Sequence, residues 1–410
     1  MSGYDSTMLP QGRNRGICMR RGYFMAMDRR SFVKGAAASY AAISAWLTAP
    51  AAQINMPARN EEAAKPRKVP YKRIATEEAW GPAEMFEMYR KLIDENPYAH
   101  PGLASMWGNS GSGSRSAQGG SGGNLLVTRL VDMGEGRIKD MDASGIDVAL
   151  LLLTAPGVQV FDAATANSLA ASTNDQLAEA IRKYPARFAG LGAIAPQDPK
   201  TAAKELERAT KNLGLKGAVI NSHTEGEYLD DPKFWEIFEA AEALNAPIYI
   251  HPREPSPQML QPFLQRGMER ALYGFGVEVG LHTLALITSG AFDRFPNLKI
   301  VIGHGGEALP YWMYRLDYMQ EHNRKPFMPK LKMRPSEYMQ RNIYITTSGV
   351  PWAPAILLAQ SVLGMDRVLY AMDYPYQFQI EEVTMTDNFP LSDADKKKLF
   401  QTNAEKVFSL

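Results

Sequence analysis

A closed (β/α)8 barrel, an α/β fold of the TIM type, is the fold class this sequence predicts, and three observations carry it. Eight short apolar runs recur along the chain: Arg73–Glu77, Val148–Thr154, Phe188–Ile194, Gly217–His223, Pro247–His251, Ile300–His304, Ile343–Ser348 and Val368–Asp373. Amphipathic stretches separate them, among them Ala202–Leu213, Lys233–Leu244 and Pro354–Leu363. Strand alternating with helix predicts a parallel sheet, and eight repeats predict its closure. The third observation is where the runs stop. Glu77, His223, His251, His304 and Asp373 all sit at C-terminal run ends, the end at which such barrels place their chemistry.

The 410 residues are 45% hydrophobic with a net charge of +1. That length holds one large barrel domain, expected over residues 71–410. The near-neutral balance gives no electrostatic footprint for nucleic acid or an acidic membrane surface. Upstream, Asp28-Arg29-Arg30-Ser31-Phe32-Val33-Lys34 is a twin-arginine pattern, followed by an apolar stretch from Gly35 to Leu47 and by Ala49-Pro50-Ala51. A basic segment, a short apolar segment and a small-residue cleavage site make a signal peptide. The apolar stretch is too short to span a bilayer, which takes about 20 residues, so export without a stable membrane anchor is expected, to the periplasm or beyond. Residues 1–24 read as an extension ahead of the true start, because Met25 or Met27 places the arginines near an ordinary N-terminus. Residues 1–52 are thus assigned to this extension and signal, and residues 53–70, polar and proline-bearing, to a linker. The only cysteine is Cys18, so an exported form carries neither disulfides nor thiolate ligands, which suits an oxidising compartment.

Glu77, His251 and Asp373 end the first, fifth and eighth runs. Two carboxylates and one imidazole nitrogen can hold a divalent cation and leave positions open for a bidentate substrate, with Mn²⁺ or Zn²⁺ favoured over a soft ion. A core histidine beside structural ion pairs is the bland alternative. His223 and His304 flank the run that carries His251; they can orient substrate, shuttle protons or themselves be ligands, and the sequence does not separate these roles. His282 falls in an apolar helical stretch and reads as a packed residue, while His100 and His322 read as surface residues. Arg315, after the Gly303-His304-Gly305-Gly306-Glu307 motif, is either a carboxylate clamp or a helix-surface arginine. Trp80, Phe275, Tyr374 and Tyr376 are candidates for an aromatic pocket wall. Gly108–Asn124 is Gly/Ser-rich without the Lys-Ser/Thr ending of a phosphate loop, and reads as a loop insertion after the first strand.

At these residues the chain resembles the amidohydrolase-related decarboxylases around 2-amino-3-carboxymuconate-semialdehyde decarboxylase. It is most similar to the 5-carboxyvanillate decarboxylases, with the γ-resorcylate and 2,3-dihydroxybenzoate decarboxylases further off. The segments carrying the resemblance are Arg73–Ala79, Asp140–Asp147, Ala195–Pro199, Asn221–Thr224, Ile250–Pro252, Gly274–Glu278, Gly303–Tyr318, Thr347–Val350 and Tyr370–Gln377. The resemblance implies Glu77, His251 and Asp373 as metal ligands, and Asp373 as the acid that protonates the ring. It also implies His223, Phe275, His304, Arg315 and Tyr376 as pocket residues, with Arg115 a candidate for a carboxylate-contacting arginine. Ala79 stands where most of the family has a second histidine or its equivalent, a departure shared with the 5-carboxyvanillate subgroup. Arg253 after His251 is instead a resorcylate-type feature. The implied activity is metal-dependent, non-oxidative decarboxylation of a hydroxylated aromatic acid by a homo-oligomer. Hydrolysis of an amide or lactone uses the same ligands and is the rival expectation; an exported binding protein is a third.

Overall fold

A computed structural model describes residues 66–96, 98–108 and 123–410. The twin-arginine segment, Cys18, Arg115, most of the 53–70 linker and most of the Gly/Ser stretch lie outside those residues.

The eight runs form a parallel barrel. Its strands are β1 (Ile74–Trp80), β2 (Val148–Leu153), β3 (Phe188–Gly190, resuming at Gly192–Ala193), β4 (Ala218–Asn221), β5 (Ile248–His251), β6 (Ile300–Ile302), β7 (Ile343–Thr346) and β8 (Val368–Leu369). Each pairs in parallel with its neighbour in chain order. The third run is interrupted at Leu191. Its first half pairs with β2, and its second half with β4. The ring closes where the Thr76 N–H donates to Tyr370 O at 3.0 Å and the Ala79 N–H to Tyr374 O at 2.7 Å.

Strand alternation sorts the apolar residues into two cores. Ile220, Ile248, Ile250, Ile300, Ile302, Ile343 and Ile345 belong to one, packed with helix residues such as Leu206, Phe238, Ile287 and Phe292. Val219, Tyr249, Val301, Tyr344 and Leu369 belong to the other, joined by Phe86, Tyr89 and Trp107 from the helices after β1. Full burial of one such side chain contributes about 1.5–3 kcal/mol, so the two filled layers hold the strand ends rigidly against each other.

One irregularity matters for function. In β1, Ala75 pairs with Ala149 but Glu78 with Leu151, so β1 carries one more residue than its partner between those pairs. A bulge of this kind re-aims a side chain, and Glu77 lies inside it.

Candidate metal centre

Glu77 is 1% exposed, yet only half of its carboxylate is engaged. Oε2 accepts hydrogen bonds from the Tyr249 hydroxyl and, at 2.9 Å, from the Thr346 hydroxyl. Oε1 accepts none among the described residues. Facing it are His251 Nε2 and His304 Nε2, each at 3.6 Å. That separation is too long for an N–H···O bond. It is of the size found between two ligand atoms of one cation, each about 2.0–2.2 Å from the ion. Atoms of Glu77, His304 and Asp373 able to ligate all lie within 4.8 Å of one another. A buried oxygen left bare among imidazoles and a second carboxyl is costly unless a cation completes it, so the residues fit a divalent metal.

The two imidazoles are set differently from behind. Asn221, paired with His251 across β4 and β5, places Oδ1 2.8 Å from His251 Nδ1. An amide oxygen only accepts, so Nδ1 carries the proton and Nε2 turns its lone pair toward Glu77. Burial pushes the His251 pKa down to about 4, against the pull of Glu77, which favours the neutral, ligating form. His304 is partly exposed, and its Nδ1 meets Glu307 Oε1 at 2.9 Å. Burial alone would lower its pKa, but Glu77 and Glu307 outweigh it and hold the imidazole well above its ordinary value. Asp373 shows the reverse. Burial raises its carboxyl well above the usual carboxylate range, Glu77 and Glu307 add to the rise, and His304 opposes it.

Backbone geometry brings these groups together. His304 and Asp373 adopt left-handed conformations, with φ of 50° and 62°. Gly303 is required by a close approach, since a Cβ there would lie 2.7 Å from Glu77 Oε2. Gly349, at φ 62°, leaves room beside His304, where a Cβ would stand 3.3 Å from His304 Cδ2 and 3.0 Å from Gln377 Oε1.

A cavity of about 800 Å³ opens from His304 and Asp373, with Phe275, Glu307, Trp312, Arg315 and Gln377 in its wall. Phe275 and Arg315 therefore stand where a ligand could meet them. The other proposed aromatics are placed differently. Trp80 is in the packed core. Tyr374 turns its ring toward the Arg137 guanidinium, 4.6 Å away, and the Tyr376 hydroxyl meets Thr154 Oγ1; neither lines this cavity. His223 is buried and outside the Glu77–His304–Asp373 group. Its Nδ1 accepts the Gly226 N–H at 3.2 Å, its Nε2 lacks a partner among the described residues, and burial with the nearby Arg253 charge pushes its pKa down to about 2. His282 is fully buried, 3.2 Å from Ser222 Oγ, and His322 is exposed. His100 is half-buried ahead of helix Pro101–Trp107.

Sequence reasoning passed over Tyr249, Thr346, Asn221 and Glu307. Tyr249 precedes His251 by two residues on one strand and so shares its face. That spacing was the available signal for it.

The chain matches the family described as Amidohydrolase over residues 114–410. It is 36% identical to the γ-resorcylate decarboxylase of Polaromonas sp. over 293 residues, covering 70% of this chain and 90% of that one. Among solved structures, 5-carboxyvanillate decarboxylase from Novosphingobium aromaticivorans, complexed with manganese and 4-hydroxy-3-methoxy-5-nitrobenzoic acid, is 48% identical. Its TM-score is 0.79, with 83% of this chain and 97% of that one covered. The 2,6-dihydroxybenzoate decarboxylase from Rhizobium is 31% identical with a TM-score of 0.72, over 83% of this chain and 99% of that one.

If Asn221 sets the His251 tautomer, Asn221→Ala should weaken manganese binding about 10–100-fold, the usual cost of losing a partner behind a ligand. Titration of the metal-free protein measures this, and unchanged affinity would show that Asn221 does not set the ligating form of His251.

Proposed function

The chain belongs to the amidohydrolase family, within its decarboxylases, and from that premise we propose that it is a manganese-dependent, non-oxidative decarboxylase of an aromatic acid bearing a hydroxyl next to the carboxylate. The observation that carries this reading is the bare Glu77 Oε1, ringed by His251, His304 and an Asp373 carboxyl whose pKa is raised, at the mouth of the cavity. Glu77, His251 and Asp373 would hold the metal. Manganese is preferred to zinc for the two carboxylates in that set and for the manganese bound in the relative's structure. When bound, the cation supplies Lewis acidity to the carboxylate and phenolic oxygens of the substrate.

The chain's own groups do the rest. Arg315 offers a planar guanidinium for a carboxylate, and Phe275 a face for the ring. Asp373, protonated when the substrate binds, delivers that proton to the ring carbon that bears the carboxylate. The bond from that carbon to the carboxylate then breaks, its electron pair returns to the ring, and CO2 leaves. His304, charged between Glu77 and Glu307, offsets the negative charge around Asp373 and the substrate. His223, the donor to substrate expected from the sequence, is buried and outside the cavity wall, so that role requires the substrate to reach past the wall. The 5-carboxyvanillate class of acid is favoured over the dihydroxybenzoates by identities of 48% against 31%.

Hydrolysis stays the second reading, because Asp373 beside a cation can also take a proton from water. The exposed aromatics Tyr311, Trp312, Tyr314 and Tyr318 on helix Leu309–Asn323 support self-association as a homo-oligomer. No helix of the described residues is long and apolar enough to cross a membrane. Export by the twin-arginine route also belongs to this proposal, on the pattern at Asp28–Lys34.

Two outcomes test the reading. The manganese-loaded protein should release CO2 from an ortho-hydroxy aromatic acid, while the ortho-methoxy analogue should be inert, since it loses the ionisable oxygen that makes the substrate a chelate. Equal CO2 release from both acids would remove the chelating hydroxyl from the reading, and no CO2 from either acid beside turnover of an aryl amide or lactone would favour the hydrolase. Exchanging Arg29 and Arg30 for lysines should retain the precursor in the cytoplasm, followed by fractionation and blotting; undiminished periplasmic protein would exclude that export route.

A further inference from the structure

Asp373 sits in a backbone conformation that residues with a side chain rarely adopt, φ 62°. Such a conformation persists only where its surroundings over-determine it. Both residues flanking Asp373 are tied to β1 through their backbone. On one side the Met372 N–H donates to Glu78 Oε1 at 3.0 Å. On the other the Ala79 N–H donates to Tyr374 O at 2.7 Å.

Glu78 is the neighbour of Glu77 but takes no part in the cluster of Glu77, His304 and Asp373. It is 4% exposed and bounds a small void together with Arg137, Met141, Met372 and Tyr374. Arg137, 1% exposed, braces the second tie: its Nη2 donates to Ala79 O at 2.7 Å, and its guanidinium lies over the Tyr374 ring. The Tyr374 hydroxyl donates to Asp140 Oδ2 at 2.9 Å, and Asp140 pairs with Arg129 at 3.1 Å. Consecutive residues of one strand thus serve the two sides of the barrel wall. Glu77 belongs to the reactive centre, and Glu78 grips the backbone that presents Asp373 to it.

We infer that Glu78 is a positioning residue: its Oε1 anchors the Met372 amide and thereby aims the Asp373 carboxyl at Glu77 and His304. The inference rests on the reading that Asp373 acts at this centre. It differs from a purely structural role in which the Glu78 charge only neutralises buried Arg137. A positioning role needs an acceptor oxygen at the right reach, with or without charge. Charge neutralisation needs the charge and tolerates a shorter arm.

Two variants separate these roles. Glu78→Gln keeps the reach and removes the charge, whereas Glu78→Asp keeps the charge and withdraws the acceptor by one methylene. Glu78→Asp should weaken manganese affinity about 10–100-fold, as for other groups that orient a ligand from behind, and lower kcat with KM little changed. Glu78→Gln should stay close to wild type on both measures. Affinity is read by electron paramagnetic resonance titration of the metal-free proteins, which needs no turnover, and thermal melts check that each variant is folded. In an Asp373→Asn background, Glu78→Asp should weaken manganese binding no further, because the group it positions is already altered. The reverse ranking, two variants that both behave like wild type, or an undiminished additional loss in the Asp373→Asn background would each overturn the inference. If Asp373→Asn alone leaves affinity and kcat unchanged, the reading of Asp373 falls and this inference falls with it.

Discussion

A single carboxylate oxygen organises this protein. Glu77 Oε2 is engaged by Tyr249 and Thr346, and Oε1 is left bare although the residue is almost fully buried. Desolvating an anion costs several kcal/mol unless opposite charge compensates it. Glu77, Tyr249 and Thr346 come from β1, β5 and β7, and His251, His304 and Asp373 stand at or just beyond the ends of β5, β6 and β8. Compensation therefore depends on several separate segments arriving in register. The two packed cores exist for that end: they make the strand ends rigid enough to keep buried like charges a few ångströms apart.

Electrostatics around Oε1 follow from its surroundings. His251, backed by a neutral amide, is pushed toward the uncharged form, whereas His304, held between two carboxylates, is pulled toward the charged one. Opposite tendencies in two imidazoles that face the same oxygen divide their labour between ligation and charge balance. Backbone strain sits at the same places, in the left-handed φ of Ser222, His304 and Asp373 just beyond the strands. Strain at a strand terminus can turn a side chain into the reactive centre that a regular strand would point elsewhere.

Much of this arrangement was legible in the sequence, for a simple reason. Apolar runs ending in Glu77, His251, His304 and Asp373 encode both the strands and their chemically active ends, because a parallel strand buried on both faces has few other reasons to stop at such residues. His282 was legible too, an imidazole in an apolar helix with its needs met internally. Less visible was anything that depends on register. The bulge that sets Glu77 apart from Glu78 leaves no mark in composition. Trp80 and Tyr374 offered the same aromatic signal as Phe275, and only the direction of the side chain distinguishes core from cavity wall. Tyr249 and Thr346 looked like strand filler, since a hydroxyl in a β-rich run is ordinary until a carboxylate is placed against it.

Decarboxylation requires Asp373 to give a proton to the substrate rather than take one from water, and isotopes distinguish these directions. With manganese-loaded protein and an ortho-hydroxy aromatic acid in D2O enriched in 18O, mass spectrometry of the ring product reads both at once. Decarboxylation as described predicts one deuterium on the carbon that carried the carboxylate, and no 18O in that product. No CO2 and no ring deuterium from the acid, together with 18O entering the carboxylate released from an aryl amide or lactone supplied in its place, would contradict it and assign the centre to hydrolysis.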